Sequence, residues 1–192
     1  MKIKKIIIKE YKLFRDAELT FKDGLNLITG PGGSGKTILF NMLKEGIFSK
    51  NENYKVEIDG RIDKKQMDYI FIDWDKFSEK ISNAIPSLPC GEKILLTLGM
   101  IIGYRSSNNI QAPLVLDSPC GKLDEDKRGI FLKIINELSF SQQVILFEHE
   151  SVLKSFGMFT NFNLVIDKNN KGMTKIFRYK KCPCNLIREL EN

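Results

Sequence analysis

The stretch Gly30-Pro31-Gly32-Gly33-Ser34-Gly35-Lys36-Thr37 satisfies the spacing GxxxxGK(S/T) in full. Residues of these types suit one chemistry, the holding of phosphate. Glycines let successive backbone N–H groups turn inward around phosphate oxygens, and a helix opening at the end of the loop adds its positive dipole end. Lys36 can reach the β- and γ-phosphates of a nucleoside triphosphate, and the Thr37 hydroxyl can ligate magnesium. Ile38 comes next on the helix start and is counted with the nucleotide-binding positions. Downstream, Ala112-Pro113-Leu114-Val115-Leu116-Asp117 is an apolar run ending in an acid. A buried strand of that kind carries Asp117 to a sheet edge, where it can hold magnesium directly or through water. ATP with Mg2+ is therefore the expected ligand.

These groups have to be positioned by the elements that the sequence pattern marks out. Residues 2–10 are isoleucine-rich and partly alternating, as a strand requires. A second strand is expected over 17–21, with Asp23-Gly24 as a hairpin signal before a third over 25–29. That third strand runs into the glycine-rich loop, and a helix follows over 38–48. Strands are expected over 54–59 and 69–73, then a short helix over 76–82. Pro86 and Pro89 punctuate the approach to a helix over 91–104. The run 112–117 reads as a buried parallel strand, 124–138 as a helix, 144–147 as another buried strand and 149–156 as a short helix. A final strand pair spans 162–167 and 174–179. Alternating strands and helices predict an α/β layer with a largely parallel central sheet, the first three strands and the last pair being antiparallel.

The chain of 192 residues suits one domain. At 42% hydrophobic and 28% charged it is globular in composition. Its apolar runs, such as 94–104, fall short of the roughly 18 residues that a membrane span needs. No signal-peptide pattern opens the sequence, so a cytoplasmic protein without a membrane partner is expected. Four cysteines stand at 90, 120, 182 and 184, and Cys182-Pro183-Cys184 is tighter than a metal-knuckle spacing. Reduced thiols are the expectation. The net charge of +6 comes from scattered lysines, which leaves nucleic acid or an acidic partner open.

Leu88-Pro89-Cys90-Gly91-Glu92-Lys93, standing before a long apolar helix, resembles the signature motif of ABC-type ATPases. Ser118-Pro119-Cys120-Gly121-Lys122-Leu123-Asp124 resembles that family's D-loop, which ends in Leu-Asp. Glu148-His149-Glu150 follows a buried strand where the family has its switch histidine, and His149 is the only histidine in the chain. The opening, Ile6-Ile7-Ile8-Lys9-Glu10-Tyr11-Lys12-Leu13-Phe14-Arg15-Asp16, looks like the aromatic-and-arginine turn of SMC, RecF and DndD-like heads. Asp117-Ser118-Pro119 with Gly121-Lys122-Leu123-Asp124 is similar to the DndD variant.

The resemblance spans essentially the whole chain and implies a P-loop NTPase fold of ABC-ATPase type. Its parts would be a mixed central sheet, an antiparallel N-terminal β-subdomain and a reduced helical subdomain. Residues 1–192 would form a single head: 1–48 with the N-terminal strands and phosphate loop, 49–105 with the helical and signature region, and 106–192 with the Walker B strand, D-loop and switch histidine. It further implies ATP hydrolysis by a nucleotide-sandwiched homodimer, or a heterodimer with a related head. Lys36, Asp117, Ser118 and His149 would stand at the catalytic positions, with Arg15 among the nucleotide contacts. Cys90, Gly91, Glu92 and Asp124 would meet the nucleotide of the opposing copy. A DNA-processing partner, a nuclease or an arm-bearing chain, is implied, and DNA contact is possible.

Three departures bear on the chemistry. Ser118 stands where the catalytic glutamate is expected, and serine is no general base at neutral pH without help, so hydrolysis is expected to be slow. Pro89 replaces the signature serine, leaving the backbone N–H groups of Cys90 and Gly91 to face a phosphate. No Q-loop glutamine is evident, and Asp73 stands at its place as a candidate magnesium or water ligand, with Glu148 and Glu150 as other acids to test. Residues 41–88 carry no heptad pattern, so the head has no arms of its own. An ATP-dependent assembly switch that hydrolyses little, and a transporter nucleotide-binding subunit, are the alternative functions.

Overall fold

The isoleucine-rich start of the chain forms β1 (Lys2–Tyr11), which pairs antiparallel with β2 (Phe14–Thr20) and, on its other side, with β4 (Tyr54–Asp59). The register of the latter pair shifts between Ile3 and Lys5. Such an irregularity lets Ile3 join Ile6 and Ile8 in the core, although strict alternation would set Ile3 on the opposite face.

A second sheet holds β3 (Leu25–Gly30), β5 (Phe71–Ile72), β6 (Leu114–Asp117), β7 (Val144–His149), β8 (Phe162–Lys168) and β9 (Thr174–Tyr179). Its order is β5-β6-β7-β3-β8-β9, with every pairing parallel except the antiparallel β8–β9 edge. This computed structural model describes residues 1–72 and 74–149, and the backbone of the strands at 162–168 and 174–179. The helix expected over 149–156 lies, beyond His149, outside the described residues, as do Asp73, Glu150, Cys182 and Cys184.

The central strands are largely apolar because both of their faces are covered. Ile28, Val115, Ile145 and Phe147 point to one side, against the antiparallel sheet and α1 (Lys36–Gly46). Leu27, Leu114, Leu116, Val144 and Leu146 point to the other, against α3 (Cys90–Ser107) and α4 (Glu125–Ser141). Between β5 and α3 lies the short α2 (Trp74–Ala84). Among the described residues no helix is long and apolar enough to cross a membrane.

Two local expectations are corrected. β3 is not the third strand of an antiparallel trio; it lies in the other sheet, flanked by β7 and β8. Asp23-Gly24 therefore carries the chain between sheets, with Gly24 at φ 77°. The Asn26 side chain clamps this passage, accepting from the Lys22 N–H at 2.8 Å and donating to the Lys22 carbonyl at 2.8 Å and the Val144 carbonyl at 3.3 Å. A turn dipeptide fixes a local reversal and says nothing of which sheet the next strand joins. The strand expected over 69–73 is shortened to β5, because a 3-10 helix over Lys64–Tyr69 occupies the approach.

Candidate functional site

Parallel pairing aligns the carboxyl ends of three neighbouring strands. Gly30 of β3 sits opposite His149 of β7, and Asp117 of β6 sits opposite Phe147. Ligands of open α/β sheets bind at this edge, where helix N-termini converge. The phosphate loop, Asp117 and His149 come from distant parts of the sequence and meet there.

The loop is shaped by two left-handed glycines, Gly33 at φ 76° and Gly35 at φ 104°. A Cβ on Gly32 or Gly33 would meet nothing within 4 Å, so the cradle is open at its rim. Gly35 is different: a Cβ there would stand 3.0 Å from Phe14 Cζ, which fixes the floor of the loop. Lys36 is only 9% exposed, and its Nζ donates to the Gly30 carbonyl at 2.7 Å and the Pro31 carbonyl at 2.9 Å. The ammonium is thus held at the centre of the loop. Thr37 is exposed, Ser34 is buried and Ile38 half-buried on the first turn of α1.

A cleft of about 440 Å3 opens beside the loop. Thr37, Phe40 and Asn41 of α1 form one wall, with Trp74 and Ile94 beneath. Asp117, Ser118, Pro119 and Lys122 complete it. Thr37 and Asp117 thus share one cavity, a hydroxyl and a carboxylate that suit a hard divalent cation. The open glycine rim, the central ammonium and this oxygen pair fit a magnesium-bound triphosphate. Among the described residues no group of three or more His, Cys, Asp or Glu could hold a metal by itself. Phosphate and water oxygens would serve such a cation as further ligands.

Ser118 adopts a left-handed conformation, φ 50° and ψ 48°, and its hydroxyl donates to Asp117 Oδ1 at 3.3 Å. Glu148 takes a structural position. It is 1% exposed, and its carboxylate accepts from the Cys120 N–H at 2.6 Å and the His149 N–H at 3.2 Å. Burial, with Asp117 nearby, pushes this carboxyl above its ordinary range. Glu148 ties the turn after β6 to the end of β7 and does not line the cleft, whereas the His149 side chain is exposed.

The remaining expected positions are not among the residues that line the cleft. Arg15 is exposed and pairs with Glu10 at 2.8 Å across the β1–β2 hairpin, and its neighbour Phe14 lies against Gly35 of the loop. Cys90, Gly91 and Glu92 open α3, and Asp124 caps α4 by accepting from the Lys127 N–H at 2.9 Å. The Lys127 ammonium joins Glu92 at 3.3 Å and Asp124, so the starts of α3 and α4 form one surface. Hydrogen bonds from Lys127 hold the Asp124 carboxyl below its ordinary value. Phe40, Asn41 and Trp74 line the cleft and belong to no nucleotide-binding motif. Only the odd tryptophan at a strand-to-helix junction offered a signal.

The fold is that of a P-loop ATPase head of the SMC and ABC type. A family described as an AAA domain matches residues 5–85, from β1 past the end of α2. The SMC head domain from Thermotoga maritima superposes with a TM-score of 0.67 at 17% identity, covering 93% of this chain and 99% of that one. A second SMC head, solved bound to the C-winged helix domain of ScpA, gives 0.66 at 12% identity with 100% of each chain covered. A nucleotide-free ATP-binding cassette from an ABC transporter gives 0.63 at 14% identity, covering 99% and 96%. No curated protein matches the chain.

Proposed function

We propose that this chain binds ATP with magnesium, hydrolyses it slowly, and closes on a second head so that each nucleotide is sealed between two chains. The reading rests on one juxtaposition: Lys36 in its glycine cradle, with Asp117 and His149 on the same sheet edge. Loop amides and the Lys36 ammonium grip the phosphates, and Thr37 and Asp117 hold magnesium, which when bound offsets negative charge on the phosphates. His149 faces the terminal phosphate. The start of α3, with the Cys90 and Gly91 N–H groups, and Asp124 serve the nucleotide of the opposing chain. Their grouping on one surface through Lys127 supports that role.

Slow turnover follows from the chemistry of position 118. Ser118 is no base at neutral pH, and Glu148 is committed to two backbone amides. The same facts favour the second reading, an assembly switch in which ATP holds two heads together with little hydrolysis. The likeness to SMC heads and the charge of +6 support work on DNA beside a partner protein, in repair, restriction or defence. One SMC neighbour is itself bound by a domain of another protein. The likeness to transporter cassettes supports the third reading, a transporter subunit.

Light scattering after size separation, with and without ATP, magnesium and DNA, tests the assembly. The expected result is a doubling of mass with ATP and magnesium, lost in Lys36→Ala and when magnesium is chelated, and altered in lifetime by His149→Ala. ATP affinity equal to the parent's in Lys36→Ala would overturn the assignment of the loop. DNA-stimulated turnover separates the DNA reading from the transporter reading, and absence of turnover selects the switch.

A further inference from the structure

Trp74 is the first residue of α2 and 5% exposed, yet it lines the cleft that holds Thr37 and Asp117. Its Nε1 is buried and has no hydrogen-bond partner among the described residues. Indole N–H groups are donors only, and buried ones ordinarily find an acceptor. The ring is otherwise well held, packing against Ile94 and Leu98 of α3 in one apolar cluster and edge-on to Phe131 of α4 at 6.1 Å. A donor left unmatched by the described residues, in a packed wall of a cleft that also holds Thr37 and Asp117, suits an acceptor on a bound ligand.

We propose that Trp74 is a nucleotide-contact residue, its indole N–H donating to an oxygen at the terminal-phosphate end of bound ATP, either a phosphate oxygen or a water held by it. This rests on the ATP reading above and adds to it. Because the nitrogen is sealed from solvent, pairing requires a small shift of the start of α2 toward the phosphates. The ring passes that shift to α3 and, through Phe131, to α4, whose cap is Asp124. Occupancy of the cleft is thereby coupled to the surface that carries Cys90, Glu92 and Lys127. ADP, lacking the terminal phosphate, leaves the donor unmatched.

The full chain contains one tryptophan, so its emission reports this ring alone. The test titrates the chain with a non-hydrolysable ATP analogue plus magnesium, and separately with ADP, following emission and calorimetric binding in parallel. The expected result is a saturable emission shift with the analogue whose midpoint matches the calorimetric one, and no such shift with ADP. Trp74→Phe keeps a ring and removes the N–H; it should bind the analogue about fivefold more weakly and ADP as the parent does. Calorimetric binding of the analogue with unchanged emission overturns the proposal, and so does Trp74→Phe binding the analogue with parental affinity. Equal weakening for both nucleotides marks a packing role and overturns it too. If the variant fails to fold, the emission titration of the parent decides. A parent that binds neither nucleotide by calorimetry removes the ATP reading and this proposal together.

Discussion

Gly35 and Gly32 sit three residues apart in the same loop and answer to different constraints. Gly35 holds φ 104° over the ring of Phe14, so an alanine there meets both backbone strain and a contact at 3.0 Å. Gly35→Ala is expected to cost about 1–3 kcal/mol of stability, read as a lower denaturant midpoint. Gly32 has open space around it and no positive φ. Gly32→Ala should leave the melting temperature within a few degrees of the parent's and yet weaken ATP binding, because the methyl enters the volume that a phosphate occupies. Calorimetry beside thermal unfolding separates the two effects. A Gly32→Ala chain that binds ATP as tightly as the parent would place the phosphates elsewhere.

The starts of α3 and α4 are coupled at the level of elements by one lysine. Lys127 joins Glu92 and Asp124, and a Cβ on Gly91 would stand 2.6 Å from Lys127 Cδ. Gly91→Ala must therefore displace the lysine, a flexible side chain, so the expected loss of stability is under about 1 kcal/mol. If two heads close as proposed, its larger expected effect is on ATP-driven association, since the surface around Glu92 and Lys127 changes shape. Lys127→Ala removes the same link, so the two substitutions should combine to less than the sum of their separate effects on the association constant. Full additivity would show that Gly91 and Lys127 act independently. Gly46 marks a comparable close approach between α1 and β4, where a Cβ would lie 2.6 Å from Val56 Cγ2.

At the scale of the molecule, Arg105 pins several distant segments. Its guanidinium is buried and donates to the Tyr69 carbonyl at 2.6 Å, the Pro113 carbonyl at 3.3 Å, the Ala112 carbonyl and Gln142 Oε1 at 2.7 Å. Burial lowers its pKa to about 10, which still leaves the group charged at neutral pH. It joins α3 to the approach to β5, to the start of β6 and to the end of α4. Arg105→Met would leave buried carbonyl oxygens without donors, at a cost of about 3 kcal/mol. Urea unfolding followed by circular dichroism checks this. The same substitution should leave ATP affinity within about twofold of the parent's, because Arg105 lies outside the cleft.

Sequence alone determined the loop chemistry and the α/β class. GxxxxGK(S/T) states a backbone geometry and a charge in eight consecutive residues, and short β-branched and apolar runs such as 114–116 and 144–147 suit strands covered on both faces. Partner strands, by contrast, are chosen by long-range burial. Asp23-Gly24 thus joins two sheets, and β3 is flanked by strands far away in the chain. Only the tertiary structure decided that Phe14 supports the loop while Arg15 turns to Glu10, that Glu148 braces two backbone amides, and that the Trp74 donor is left unmatched beside the cleft. Such outcomes depend on which side chains several separate elements bring within a few ångströms, and no local pattern carries that information.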